Sequence, residues 1–198
     1  MKNKKFIDDV IKIIGFILNN KKILYLSMPM TSIEAIKNKN IIVELIDKTK
    51  KFMGPLDLKN VQNKKGFLNK IYNRIADKYI KLHSDKLIVN PMLLKMQGWE
   101  QKDYHYFWGE VIRRHAEKVI FFPGWEYSNG CTYEFLVAKR HNIGTYDLMG
   151  NKINISKGIK MIEEALNKIN LEKEKLLLIE KNLKELEKLA GNKKKVKR

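Results

Sequence analysis

The sequence contains little cysteine, little arginine and no long apolar run. Its single cysteine cannot form an internal disulfide, and neither a C-x-x-C pair nor the His/Cys spacing of a zinc site is present. We therefore expect a reducing, cytoplasmic environment and a protein with no metal and no cofactor. No stretch approaches the ~20 apolar residues of a membrane-spanning helix, so no membrane segment is predicted.

Positive charge, by contrast, is abundant. The 198 residues include 40 Lys+Arg against 22 Asp+Glu, which gives a formal net charge of +18. Such a surface would suit phosphate groups or nucleic acid. Arginine supplies only five of the forty cations, and heavy use of Lys, Asn and Ile is typical of an AT-biased genome. Nucleic-acid binding through a basic loop and tail is therefore an alternative prediction and not the leading one.

The middle of the chain alternates between strand-like and helical patterns. Short apolar runs bounded by turn residues have the character of buried parallel strands, and helical periodicities separate them. This alternation predicts an α/β fold, a Rossmann-like three-layer domain over residues 1–150 with a short parallel sheet of about four strands. Ligands of such sheets bind at the carboxyl ends of the strands. The predicted strands are Lys22–Met28, Lys86–Asn90, Lys118–Phe122 and Ile143–Leu148.

Helices are predicted between these strands and before the first one. They follow Thr31 or Ser32, cover Phe67–Leu82, and begin near Asp103 and near Gly130. Residues 6–20 predict an amphipathic helix packed on the core, with its apolar residues at Phe6, Val10, Ile13, Ile14 and Ile17.

Two further segments flank this pattern. Residues 52–66 contain Gly54, Pro55 and several lysines, and are the candidate lid. Residues 151–191 predict a long amphipathic helix whose two apolar repeats are out of phase around Lys173. A coiled coil with local adjustment, an antiparallel pair and packing on the domain all fit that pattern. Residues 192–198 form a basic tail that is expected to be disordered.

The most informative segment joins the third strand to the helix that opens near Gly130. Ser128 and Gly130 bring a hydroxyl and a backbone without a side chain to a helix N-terminus. Unpaired N–H groups and the helix dipole favour a phosphate there. Glu134 lies about one turn further and can face the same crevice. The segment therefore predicts an anion site beside a carboxylate, and its alternative is a glycine turn with a capping serine and an exposed glutamate.

Residues 128–134 (SxGxxYE) resemble the signature of the nucleoside 2-deoxyribosyltransferase superfamily, which includes the 2'-deoxynucleoside 5'-phosphate N-hydrolases. Residues 24–31 (LYLSMPMT) are similar to the YLSGPMTG opening of small members. The same members carry an Asn-Pro, here Asn90-Pro91, and a PGWxxSxG turn, here residues 123–130. The four blocks occur in the right order and span roughly residues 22–148.

The resemblance implies an N-glycosidase or deoxyribosyltransferase acting on a nucleoside or nucleotide. Glu134 would attack the anomeric carbon, displace the base and leave a glycosyl ester that water or a second base resolves. Tyr25 would orient this carboxylate, while Ser128 and Gly130 would hold the 5'-phosphate or 5'-hydroxyl. Further substrate contacts are expected from Ser27, Met28, Pro29, Met30, Asn90, Gly124 and Trp125.

The sequence departs from the family pattern at two places. Met28 stands where relatives often have glycine, and its side chain would crowd a closely approaching ligand. The aspartate that relatives carry near the position of Trp108 is missing. The candidate general acids are therefore Asp103 first and Glu110 second.

Family members generally act as oligomers in which a neighbour completes the pocket. A homo-oligomer is therefore expected, with the apolar stripe of residues 151–191 at the interface. A second functional class is an inactive nucleotide-sensing or assembly module, which the missing aspartate and Met28 favour.

Overall fold

The computed structural model describes residues 3–29, 39–53, 67–169 and 173–195. Four parallel strands form one sheet in the order β2-β1-β3-β4. The predicted short parallel sheet is confirmed, since each strand overlaps its predicted run. The strands are β1 (Ile23–Ser27), β2 (Ile88–Val89), β3 (Ala116–Phe121) and β4 (Gly144–Asp147).

Seven helices are seen in the described ranges, and the α/β, Rossmann-like three-layer architecture follows from their packing on both faces of the sheet. The helix predicted over Phe67–Leu82 has those bounds in the structure. The helices are α1 (Lys4–Leu18), α2 (Lys39–Met53), α3 (Phe67–Leu82), α4 (Gln101–His115), α5 (Asn129–Arg140), α6 (Ile155–Lys168) and α7 (Lys173–Lys195).

The alternation of side chains along β1 builds both core layers. Ile23 and Tyr25 enter a cluster with α1, α4 and α5, while Leu24 and Leu26 enter a cluster with α2 and α3. Successive strand residues point to opposite faces of a sheet, so an uninterrupted apolar run is what a strand covered on both sides requires.

The strand order fixes where a ligand crevice forms. From β1 the chain crosses to β2 on one side, whereas β3 lies against the other side of β1. The connections therefore leave the carboxyl ends of β1 and β3 in opposite directions. A crevice opens at such a switch point, and here it lies beside Ser27 and the turn that follows Phe121.

The C-terminal region differs from the single helix predicted over residues 151–191. Two helices, α6 and α7, replace it, and α7 begins at Lys173, where the two apolar repeats fall out of phase. Both helices pack on the domain, since Ile162, Ile179 and Leu186 are fully buried. The stripe that suggested an oligomer is thus largely covered by the chain itself.

Helix α7 also runs further than expected, to Lys195, so residues 192–195 of the predicted disordered tail are helical. Its Asn182 donates hydrogen bonds to the hydroxyl of Thr132 at 3.1 Å and to the carbonyl of Asn129 at 3.3 Å. These bonds join α7 to the first turn of α5.

Helix α1 packs on the core as predicted, and Val10 and Ile14 of the predicted face contact it, but the centre of the buried face is shifted. Ile7 and Ile11 are buried, whereas Phe6, Ile13 and Ile17 are more than half exposed. The buried face is set by α4, against which α1 lies. No helix of the described residues is long and apolar enough to cross a membrane.

Several predictions lie outside the described residues. These are the helix caps Thr31 and Ser32, the substrate contact Met30, and residues 54–66 of the lid. The first two residues of the predicted lid, Phe52 and Met53, are instead the end of α2.

Candidate active site

Glu134 of α5 is held at the carboxyl end of β1 by two hydroxyl groups. The hydroxyl of Tyr25 donates to Oε1 at 2.7 Å, and that of Ser27 donates to Oε2 at 2.6 Å. Tyr25 and Ser27 are both fully buried and point to the same face of β1, because they are two positions apart. The carboxylate is thereby fixed in one orientation.

Burial controls the ionisation of this group. It raises the pKa of the Glu134 carboxyl to about 7, although the hydrogen bonds from Ser27 and Tyr25 act in the opposite direction. Burial, together with the charge of Glu134, raises the pKa of Tyr25 well above its ordinary value. Tyr25 therefore stays protonated and remains a hydrogen-bond donor to the carboxylate.

The N-terminus of α5 faces the same space. Ser128 caps the helix by accepting from the backbone N–H of Cys131 at 3.4 Å. A Cβ on Gly130 would meet Nε2 of His105 at 3.7 Å and Oγ of Ser128 at 3.8 Å, which is ordinary contact. Packing within the protein would therefore tolerate a side chain at position 130. The glycine leaves the space beside the helix N-terminus open.

A cavity of about 530 Å³ connects these groups. Its volume lies within the range of about 300–1,000 Å³ for ligand pockets. Glu134 is its one carboxylate among the described lining residues. The lining consists of Met28, Pro91, Met92, Leu94, Lys95, Gln101, Tyr104, His105, Trp108, Ser128, Asn129, Gly130, Cys131, Glu134 and Lys175.

The structure thus brings together several of the predicted site residues. Met28, Ser128, Gly130 and Glu134 border the cavity directly. Tyr25 and Ser27 lie behind Glu134 and contact it instead.

Other predicted contacts lie elsewhere, and their local roles explain their positions. Asn90 caps a short 3-10 turn by accepting from the N–H of Met92 at 3.0 Å. Gly124 has a φ of 86°, which glycine adopts without strain at the start of the next 3-10 turn. Trp125 packs on Phe121 and borders a different cavity. Pro29 is not among the residues that line the cavity around Glu134.

Asp103 does not occupy a general acid's position. It sits in the first turn of α4, where its Oδ2 accepts from the backbone N–H of Glu100 at 3.1 Å and from Asn3 at 3.0 Å. This capping box uses the carboxylate to stabilise the helix, and Asp103 is not among the cavity's lining residues. The sequence predicted that the helix begins near Asp103, whereas its N-cap is Glu100, about one turn earlier.

Glu110, the second candidate acid, lies in an ion-pair cluster. Hydrogen bonds from Arg113 and Arg114 lower the pKa of its carboxyl to about 2. A carboxyl group with this pKa is ionised near neutral pH and cannot donate a proton there. Like Asp103, Glu110 is not among the lining residues.

His105 is a site residue that sequence analysis missed. It lines the cavity, stacks on Tyr133 with ring centroids 5.3 Å apart, and lies beside Gly130. Burial lowers the pKa of its imidazole. The available signal was the spacing of Gln101, Tyr104, His105 and Trp108, which places all four on one face of α4.

Cys131 also lines the cavity, but burial raises the pKa of its thiol far above the ordinary value. A thiol in this setting stays protonated and is a poor nucleophile. Within the described ranges, no three His, Cys, Asp or Glu side chains lie together as a ligand set for a metal ion.

What the site offers chemically is one oriented, buried carboxylate beside a helix N-terminus, in a cavity with aromatic and cationic walls.

Comparison of the chain with protein-family models, with curated proteins and with solved structures finds no match.

Proposed function

We propose that the protein breaks or transfers the N-glycosidic bond of a nucleoside or nucleotide, with Glu134 as the nucleophile. The observation that carries this proposal is the pair of hydrogen bonds from Tyr25 and Ser27 to the two oxygens of Glu134. They hold a buried carboxylate in one orientation while each oxygen keeps a second lone pair for attack.

In the first step, a carboxylate oxygen of Glu134 bonds to the anomeric carbon as the bond to the base nitrogen breaks. The base leaves with that electron pair, and its nitrogen takes up a proton. Water or a second base then attacks the same carbon, gives its proton to the group that protonated the first base, and releases Glu134 as a carboxylate. Two displacements at one carbon retain the anomeric configuration. Glu134 is the sole carboxylate among the described lining residues, so it is the carboxylate available as nucleophile.

The proton for the departing base is assigned to His105. Together with Tyr104, it is a titratable side chain of α4 that borders the cavity. It lies beside Gly130, which precedes Glu134 by about one turn of α5. Burial lowers the pKa of its imidazole, so the ring is neutral in the empty cavity. The proton donor is the imidazolium, which an anionic substrate bound beside the ring would favour.

A phosphorylated substrate is supported by the charges around the helix terminus. The first turn of α5 presents backbone N–H groups, and Lys95 and Lys175 line the same cavity. A helix N-terminus with lysines nearby stabilises an anion. A nucleoside 5'-phosphate is therefore favoured over a free nucleoside.

The test is release of base from a panel of nucleosides and nucleotides. Wild type should release base, and Glu134→Ala should lose about a thousandfold or more of that rate, because the nucleophile is gone. Glu110→Gln, a carboxylate change outside the cavity, serves as the matched control and should keep the wild-type rate.

A 2-deoxy-2-fluoro nucleoside would trap the covalent step. Wild type should gain the mass of the sugar on the peptide that contains Glu134, as measured by mass spectrometry. Base release that persists in Glu134→Ala would contradict the nucleophile assignment.

A nucleotide sensor is the second candidate function, and Met28 favours it. Its side chain is only 4% exposed and borders the cavity, where it narrows the space for a ligand. Calorimetric titration followed by chromatography separates the two functions. A sensor returns the nucleotide intact, whereas an enzyme yields free base.

A further inference from the structure

A second cavity, of about 280 Å³, lies at the carboxyl ends of β3 and β4. Residues that follow these strands form one side, Lys48 and Phe52 of α2 form another, and Lys157 and Met161 of α6 form a third. None of the described residues that line it also lines the cavity around Glu134. It is therefore a separate space.

A buried carboxylate borders this cavity. Glu126 is 5% exposed, and among the described residues its Oε2 has no hydrogen-bond partner. The buried indole N–H of Trp125, another lining residue, is likewise unpartnered there. Buried polar groups in folded proteins nearly always have partners, because an unmade hydrogen bond is costly. Two such groups beside one cavity point to a polar ligand.

Two carboxylates and two lysines border the cavity. Asp147 already accepts hydrogen bonds from the backbone N–H groups of Met149 and Asn151 and from Nδ2 of Asn151, so Glu126 is the carboxylate with an unpartnered oxygen. Nζ of Lys48 is 3.9 Å from Oε1 of Glu126, and the exposed Lys157 adds a second cation to the lining. Lys48 also pairs with Glu44 at 2.8 Å. The ligand must therefore present a hydrogen-bond donor to Glu126 and an anion to the lysines.

Most of the remaining wall is apolar, apart from the hydrogen-bonded Asp147 and Asn151, and it limits the size of the ligand and favours an apolar side chain on it. A volume of about 280 Å³ is just below the range of about 300–1,000 Å³ for drug-sized ligands, so it suits a smaller molecule. Hydrophobic side chains surround the space, and they are Phe52, Phe121, Phe122, Leu148, Met149, Ile153 and Met161.

We propose that this cavity binds a free α-amino acid with an apolar side chain, such as leucine, methionine or phenylalanine. Its ammonium group donates to Glu126 and its carboxylate faces Lys48 and Lys157, while its side chain contacts the apolar wall. An α-amino acid has an ammonium group and a carboxylate attached to the same carbon. The site presents the matching charges next to each other, a carboxylate on Glu126 and an ammonium group on Lys48. The site does not depend on the function proposed for Glu134.

Isothermal titration calorimetry of the full chain tests this site with leucine, methionine and phenylalanine. Two analogues of leucine, 3-methylbutylamine and 4-methylpentanoate, each lack one charged group and should bind about tenfold more weakly or not at all. Glu126→Gln should weaken leucine binding by about tenfold or more, because a charged hydrogen bond is lost. Lys157→Met changes an exposed residue that does not endanger folding, and should weaken binding a few-fold.

Glu110→Gln is the matched control, since Glu110 lies on α4 and lines neither cavity, and it should bind leucine like wild type. Glu134→Gln should also bind normally, which separates this site from the first cavity. Absence of heat with every amino acid up to about 20 mM would overturn the proposal, because even a millimolar Kd would be saturated there. The proposal would also be overturned if both single variants, Lys157→Met and Glu126→Gln, bound leucine as tightly as wild type. Binding of free nucleobases in place of amino acids would overturn it too.

Discussion

Replacing Glu134 by glutamine should stabilise the fold, and more so at high pH. The pKa of the Glu134 carboxyl is about 7 in the folded state against an ordinary value of 4.5. Between these two pH values the native state holds a proton that the unfolded state has released. Stability contributed by this group is therefore lost as pH rises through that window. A buried carboxylate held for chemistry is a destabilising group at neutral pH.

The magnitude follows from the two pKa values. Integrating the linkage relation from pH 5 to pH 8 gives a decrease of about 2.5 kcal/mol in the free energy of unfolding of wild type. The glutamine variant lacks the ionisable group and should not show this decrease. Urea unfolding of wild type and Glu134→Gln at both pH values measures it, because the difference between the two proteins should grow by about that amount. The control is Glu110→Gln. The pKa of this carboxyl is lowered to about 2, so the group is ionised in the folded and unfolded states alike, and the difference from wild type should stay nearly constant between pH 5 and pH 8. A difference that is constant between pH 5 and pH 8 would refute the raised pKa.

Four further predictions concern the site and the surface. Ser27→Ala removes a hydrogen bond to the charged form of Glu134, worth about 1.5–3 kcal/mol. Since the nucleophile must be ionised, the pH at which kcat/KM rises should move from about 7 to about 8 or 9. An unmoved pH profile would show that Ser27 does not influence Glu134. His105→Gln should slow release of ordinary bases strongly but spare cationic 7-methylguanine, which leaves without protonation, and equal losses on both would remove the proton-donor role. Asp103→Ala should cost about 1 kcal/mol in thermal or urea unfolding through loss of the capping box and leave kcat unchanged, whereas a large fall in kcat would restore it as a candidate acid. For the expected homo-oligomer, light scattering should give a mass above the 23.4 kDa of one chain, and Phe16→Glu, on the exposed face of α1, should lower it; a wild-type monomer would end that prediction.

Local sequence patterns were sufficient for the elements of the fold. The apolar runs around β1 and β3 and the periodicity of α3 each encode their own secondary structure, because side-chain spacing along a strand or helix is a local property. The serine, glycine and glutamate of residues 128–134 are likewise local, since the cap and the first turn of α5 place them on one helix end. The C-terminal break at Lys173 was visible as a change of phase, although the pattern did not distinguish a coiled coil from two packed helices.

The candidate site itself needed the tertiary structure. Tyr25 and Glu134 are 109 positions apart, and their contact exists only because β1 lies against β3 and α5 returns across that strand. The position of Asp103 in a cap and of His105 in the cavity depends on which face of α4 turns inward, and that is decided by packing on α5 and α1.

What the sequence by itself determined is most of the elements and a serine cap followed one turn later by a carboxylate, because both depend on spacing within a few residues. The nucleophile role of Glu134 is what the resemblance of residues 128–134 implies. What only the tertiary structure decided is which distant groups meet. It placed Ser27 on Glu134, set Asp103 apart from the cavity, and opened a second space beside Glu126. The physical reason is that burial and hydrogen bonding between remote segments depend on how whole helices pack, and no local pattern records that packing.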